Sequence, residues 1–119
     1  MKNIPIAFIG GGNMARSLIG GLVAGGHEPD RIWVAEPDIG QRELLHGRHG
    51  VRTGPDNLAI AAEAEVIVLA VKPQILQGVA RQLAPVVQAR RPLVISIAAG
   101  VREPDLRRWL GGGSLALVR

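Results

Sequence analysis

The sequence predicts an α/β domain built on a single doubly wound parallel sheet, and three observations carry that prediction. Short β-branched runs alternate along the chain with longer stretches of helical character, the pattern of successive βαβ units. The run Val66-Ile67-Val68-Leu69-Ala70-Val71 is apolar at every position, as a central parallel strand covered on both faces should be. A turn of three glycines, Gly10-Gly11-Gly12, leaves the first β-branched run and opens a helical stretch.

Taken in order, residues 4–9 read as the first strand and 13–24 as the first helix, which Gly25-Gly26 stops. Residues 31–35 form the second strand. Asp38 is placed to cap a helix over 39–47, a weak strand surrounds Val51, and Asp56 caps a helix over 57–64. Residues 66–71 are the strongest strand, followed by a helix over 74–84 and a strand over 93–97. A helix over 103–110 and a last strand at 115–118 complete the set, with Gly111-Gly112-Gly113-Ser114 read as the turn between them. The chain stops just after that strand with no capping helix, which reads as a cut at a domain edge.

Composition narrows the function classes. At 119 residues, 47% hydrophobic and 20% charged, the chain has the make-up of one globular domain. It has no cysteine, which excludes a disulfide framework and thiolate metal sites, and its three histidines are too scattered for a metal centre. His27, His46 and His49 fall in or near turns and polar helix ends and are expected to be solvated. The apolar run before the glycines is too short for a signal peptide, and no uncharged stretch reaches membrane-spanning length, so a cytoplasmic protein without a membrane partner is expected.

The net charge of +4 is unevenly distributed. Residues 1–80 hold seven Lys/Arg against eight Asp/Glu, whereas residues 81–119 hold seven Arg against Glu103 and Asp105. Such a basic end suits nucleic acid, but with only Phe8, Trp33 and Trp109 there is no stacking platform and no helix has a sustained basic face. No nucleic-acid partner is expected. The arginines are read as solvated, or as facing protein absent from this chain.

The chemical signal is Gly10-Gly11-Gly12-Asn13-Met14-Ala15, a Gly-x-Gly-x-x-Ala turn between strand and helix, the fingerprint of a Rossmann-type dinucleotide site. Gly10 permits the tight turn, Gly12 lets a pyrophosphate approach the backbone, and Ala15 lets helix and strand pack closely. The free N–H groups and partial positive charge of the helix N-terminus then hold the anion, so no lysine is needed. Glu36, twenty-one positions beyond Ala15 at the end of the second strand, is placed to accept from ribose hydroxyls and to repel a 2′-phosphate. That favours NAD(H) over NADP(H), although Arg42, a helical turn away, is available to receive a phosphate.

Further contacts are expected at the carboxyl ends of the other strands. In Ala70-Val71-Lys72-Pro73-Gln74, Pro73 suits a helix start, and Lys72 either meets a phosphate or ribose or is solvated. In Ser96-Ile97-Ala98-Ala99-Gly100 the side chains are small enough to let a flat nicotinamide lie near the backbone. No residue is assigned a catalytic role.

These blocks, together with Leu18-Ile19-Gly20-Gly21-Leu22, resemble the N-terminal domain of the Δ1-pyrroline-5-carboxylate reductase family over essentially all 119 residues. The resemblance implies a full-length enzyme that reduces a cyclic imine to L-proline with NADPH or NADH, the last step of proline biosynthesis, and that is homo-oligomeric. It implies that Ile9 to Met14 wrap the pyrophosphate, that Glu36 meets the adenosine ribose, and that Asn57 and Ala70 to Pro73 line the cofactor. Ala98 and Ala99 would lie beside the nicotinamide.

Two departures from the family pattern stand out. The Met-Pro-Asn-Thr-Pro segment and the helical domain that binds substrate and dimerises do not follow residue 119, so residues 1–119 are expected to be the cofactor domain alone, inactive by itself. Glu36 is the other, since many bacterial relatives use NADPH. The other readings are the cofactor domain of a β-hydroxyacid or prephenate dehydrogenase, against which the Ala-Val-Lys-Pro-Gln and Ser-Ile-Ala-Ala-Gly blocks argue, and a stand-alone NAD(P)-sensing module.

Overall fold

A computed structural model describes residues 3–119. The elements are β1 (Ile6–Ile9), α1 (Asn13–Ala24), β2 (Ile32–Ala35), α2 (Ile39–His49), β3 (Arg52–Gly54), α3 (Asn57–Ala61), β4 (Val66–Leu69), α4 (Pro73–Arg90), β5 (Leu93–Ser96), α5 (Glu103–Trp109) and β6 (Leu117–Val118), with one 3₁₀ turn at Pro29–Arg31. All strand pairs are parallel, in the order β3-β2-β1-β4-β5-β6. The expected doubly wound sheet is what forms. β1 lies between β2 and β4, with Ile9 opposite Ala35 on one side and Leu69 on the other. The chain therefore winds one way from β1 to β3 and the other way from β4 to β6, and the crevice of such a sheet opens where the winding reverses.

Alternation along the strands sends side chains to two cores. Ile6, Phe8, Ile32, Val34 and Val68 pack under Ala15 and Ile19 of α1 and Leu45 of α2. Ala7, Ile9, Ile67, Leu69 and Val94 pack under Ile60 of α3, Leu76, Ala80 and Leu83 of α4, and Leu106 of α5. β4 thus feeds both layers, which is why its sequence lacks polar positions. Over β4 and β5 the α1 side of the sheet is open, and Val66, Ile95 and Ile97 line an apolar groove with Phe8 and Leu22.

Caps fall where the turn chemistry places them. Asp38 accepts from the Gln41 N–H at 2.8 Å, and Asp56 accepts from the Leu58 N–H at 3.0 Å and, at a longer 3.4 Å, from that of Ala59. The N–H of Gly25 closes α1 on the Gly21 carbonyl. Gly111, Gly112 and Gly113 all take positive φ, which makes the segment before β6 a tight turn.

Four expectations need correction. Helix α4 does not stop at 84 but runs through Pro85 to Arg90. Pro85 sits on the exposed face, so the carbonyl it leaves without an N–H partner faces water, while Leu76, Ala80, Leu83 and Val87 hold the other face in the core. The helix ends instead at Arg91, whose φ of 54° reverses the chain and whose side chain donates to the Ser114 carbonyl at 3.1 Å. Helix α3 is shorter than expected, ending at Ala61.

The histidines are not uniformly solvated: His27 is buried with Nε2 at 3.0 Å from the Ile4 carbonyl and His49 is half-buried, whereas His46 is exposed as expected, with Nδ1 3.0 Å from the Val51 carbonyl. Nor are the late arginines idle. Arg107 pairs with Glu103 at 2.7 Å and donates to the carbonyls of Gly113 and Leu115, and Arg119 donates to that of Val101. Guanidinium groups here serve as loop caps, because a glycine-rich turn leaves carbonyls without ladder partners.

Candidate functional site

The glycine turn is held from three sides. β1 ends at Ile9, and the Gly10 N–H donates to the Ala35 carbonyl of β2 at 2.8 Å. Gly10 takes a φ of 104°, and a Cβ there would stand 2.7 Å from the Ala70 carbonyl oxygen beyond β4. Gly11 is equally confined, since a Cβ on it would meet Leu45 at 3.0 Å and Glu36 at 3.2 Å. Its N–H donates to Glu36 Oε1 at 2.9 Å. Gly12 is the contrast: a Cβ there would meet nothing within 4 Å, because the position faces open space.

Gly12 is also the N-cap of α1, and it offers no side-chain acceptor to the first turn. The first N–H groups of a helix have no intrahelical partners, so this twelve-residue helix directs uncompensated donors toward the space that Gly12 leaves free. The neighbouring helices differ, since Asp38 and Asp56 cap α2 and α3 with carboxylates.

Two connected chambers follow. The first, about 400 Å³, lies between the glycine turn, Glu36 and the start of α4, with Asn57 at its margin. The second, about 320 Å³, runs from Asn13 and Met14 past Pro73 to Ala98 and Ala99 at the end of β5. Gly12, Ala70, Val71 and Lys72 border both, which makes them one cleft along the carboxyl ends of β2, β1, β4 and β5. Ile9 and Ala15, expected in the site, have their side chains buried beneath this floor, so only their backbone can serve it. A larger, shallow basin of about 480 Å³ between α1 and α2 is lined by Arg16, Arg48 and His49. It is lined by α1 and α2 alone, not by the strand ends where sheets of this kind bind ligands, and it meets the cleft at Asn13.

Polar groups in the cleft have defined partners. Glu36, 8% exposed, accepts from Gly11 through Oε1 and from the Asp38 N–H through Oε2 at 2.9 Å. Arg42 Nη1 donates to the Glu36 carbonyl at 2.7 Å and to the Pro37 carbonyl at 2.9 Å. Asn57 donates to Gln82 at 3.1 Å. Lys72, the N-cap of α4, is exposed at the end of β4, so the cleft carries a carboxylate on one wall and an ammonium on the other. Ser96 is buried, and its Oγ lies 3.4 Å from the Ala98 N–H.

Sequence reasoning passed over Pro37, Gln41, Ile75 and Val79, which also line the cleft. The signal for three of them was helical phase: Gln41 is three residues past the Asp38 cap, and Ile75 and Val79 follow Pro73 on one face of α4. Gln41 Oε1 is the one buried side-chain polar atom among the described residues without a partner, and it belongs to this cleft. An orphaned acceptor beside an open cradle fits a ligand that donates hydrogen bonds there. No group of three or more metal-ligating side chains occurs among the described residues.

Fold and site together define a dinucleotide-binding α/β domain of the doubly wound class. The chain belongs to the family described as NADP oxidoreductase, coenzyme F420-dependent, whose model matches residues 5–100. The resemblance drawn from the motifs is borne out by its relatives. It is 44% identical over its whole length to the pyrroline-5-carboxylate reductase of Vibrio alginolyticus, of which it covers 43%. It superposes on the structure of a pyrroline-5-carboxylate reductase from Coxiella burnetii with a TM-score of 0.89 at 41% identity, covering 92% of this chain and 40% of that one. The Plasmodium falciparum pyrroline carboxylate reductase, solved with NADP bound, shares the fold at a TM-score of 0.83 and 24% identity, over 98% of this chain and 41% of its own. The chain thus spans about two fifths of the length of the proteins it matches.

Proposed function

We propose that this chain is the cofactor-binding part of a cytoplasmic pyrroline-5-carboxylate reductase, which reduces 1-pyrroline-5-carboxylate to L-proline at the end of proline biosynthesis. The observation that carries the reading is the uncapped start of α1 behind Gly12, opening into a cleft that runs across four strand ends. When bound, a reduced nicotinamide dinucleotide supplies the hydride that the imine carbon accepts, while the imine nitrogen keeps a proton.

The residues of this chain bind and orient. Gly12, with Asn13, Met14 and the backbone of Ala15, presents amide donors to the pyrophosphate, because donors at a helix N-terminus match its charge, while Ile9, Gly10 and Gly11 shape the turn, the Gly10 and Gly11 N–H groups being bonded to Ala35 and Glu36. Glu36 holds the adenosine ribose. Asn57, Ala70, Val71, Lys72 and Pro73 form the outer wall, and Ala98 and Ala99 leave room for a flat ring against the backbone of β5. Orientation is the protein's main contribution to hydride transfer, since the donor and acceptor carbons must be brought into contact with water excluded. Substrate binding and assembly into a homo-oligomer belong to a second domain outside these 119 residues.

Calorimetric titration of NADH and NADPH into the 119-residue protein tests the reading, with saturable heat expected and no turnover of pyrroline-5-carboxylate. Absence of heat with both dinucleotides would overturn the cofactor assignment, and turnover by this chain alone would overturn the division of labour.

A further inference from the structure

Resting on the dinucleotide reading, we infer that the adenosine end of the cleft is built for a ribose with a free 2′-hydroxyl, so that this chain takes NAD(H) in preference to NADP(H), with Glu36 as the specificity-determining residue.

Two backbone donors anchor Glu36 in the cleft wall. Its two oxygens are held from opposite sides, by the Gly11 N–H and the Asp38 N–H, each at 2.9 Å, and its methylenes lie where a Gly11 side chain would be. Each oxygen keeps lone pairs free to accept from a hydroxyl. Gln41 adds an acceptor beside it, the buried Oε1 with no partner. A ribose hydroxyl donates to such a wall. A 2′-phosphate offers only acceptor oxygens and brings about two negative charges against an anchored carboxylate.

The two candidate cations are oriented by other contacts or start from another strand. Arg42, the candidate phosphate receiver on sequence grounds, spends Nη1 on the carbonyls of Glu36 and Pro37 at 2.7 and 2.9 Å. Lys72 stands at the end of β4, two strands from Glu36 across β1, about 10 Å at the usual strand spacing.

Titration of the 119-residue protein with NADH and NADPH, and with 5′-ADP and 2′,5′-ADP as adenosine-end probes, decides the matter. NADH should bind at least about tenfold more tightly than NADPH, and 5′-ADP more tightly than 2′,5′-ADP. Glu36→Gln, which keeps an acceptor for Gly11 but removes the charge, should narrow the gap mainly by gaining NADPH affinity. Arg42→Ala should leave the ratio of the two affinities unchanged within about twofold. NADPH binding by the wild-type protein as tight as NADH, or a selective loss of NADPH in Arg42→Ala, would overturn the inference while leaving the dinucleotide site standing. If none of the four ligands binds, the site assignment falls and the inference with it. The wild-type ratio is decisive even if Glu36→Gln does not fold.

Discussion

Gly10 and Ala70 touch backbone to backbone: a Cβ on Gly10 would stand 2.7 Å from the Ala70 carbonyl oxygen, closer than real Cβ atoms come to anything. Two residues further on, Gly12 has no neighbour within 4 Å of the same position. The adjacent glycines thus separate folding from binding. Gly10→Ala should destabilise the domain by about 1–3 kcal/mol, from positive φ and collision together. Gly12→Val should leave the thermal midpoint nearly unchanged and abolish dinucleotide binding, because its side chain occupies the cradle. Thermal unfolding paired with calorimetry checks both, and dinucleotide binding by Gly12→Val as tight as wild type would refute the cradle.

Gln88 fastens the C-terminal turn. Its Nε2 donates to the carbonyls of Leu110 and Gly112 at 2.9 and 3.0 Å, and a Cβ on Gly111 would strike it at 2.8 Å. Gln88→Ala should cost about 1–2 kcal/mol, since two carbonyls lose a half-buried donor. Denaturant unfolding measures this, and a change under about 0.3 kcal/mol would show that water replaces the amide.

The caps of the two short helices on opposite faces are a simpler case. Asp56→Ala removes the acceptor for the Leu58 and Ala59 N–H groups, and Asp38→Ala the acceptor for Gln41. Each should cost about 1 kcal/mol in denaturant unfolding. The backbone N–H that braces Glu36 survives in Asp38→Ala, so neither substitution should change dinucleotide binding by more than about twofold.

On α5, the Arg108 guanidinium hydrogen-bonded to Asp105 holds its carboxyl below the usual 3.8, with further help from the charge of Arg102. A carboxyl with a lowered folded pKa stabilises the fold above the unfolded value, and that contribution is lost as pH falls through the folded one. The contribution is therefore intact at neutral pH, and its loss sets in only as pH falls below 3.8. Carboxyl titration by NMR should show the Asp105 pKa rising toward its ordinary value in Arg108→Ala, and less in Arg102→Ala.

What could be read from the sequence was whatever is written in local geometry. Gly10 to Ala15, the offset to Glu36, the caps Asp38 and Asp56 and the apolar run at Val66 are short-range signals, and each element they announced is present. What escaped depends on contacts between distant segments. His27 is buried because the Ile4 carbonyl lies beside it, α4 outlasts Pro85 because its other face is clamped into the core, and Arg107 is tied to a turn that forms only when β6 docks. The cleft lining shows the same division. The glycines and strand ends were legible, whereas helical phase puts Gln41, Ile75 and Val79 on defined helix faces without stating that those faces turn to the cleft, which packing decides.

Because β1 pairs on one flank with β4, residues 9 and 69 must meet before the crevice between them has a second wall. During synthesis, β1, β2 and β3 can assemble as a ribbon with one helical layer, yet that ribbon lacks the wall β4 supplies, and β1 keeps a bare edge until β4 leaves the ribosome. Refolding should accordingly be limited by one long-range docking event, and coenzyme added during it should report the moment of closure rather than the earlier rise in helix content.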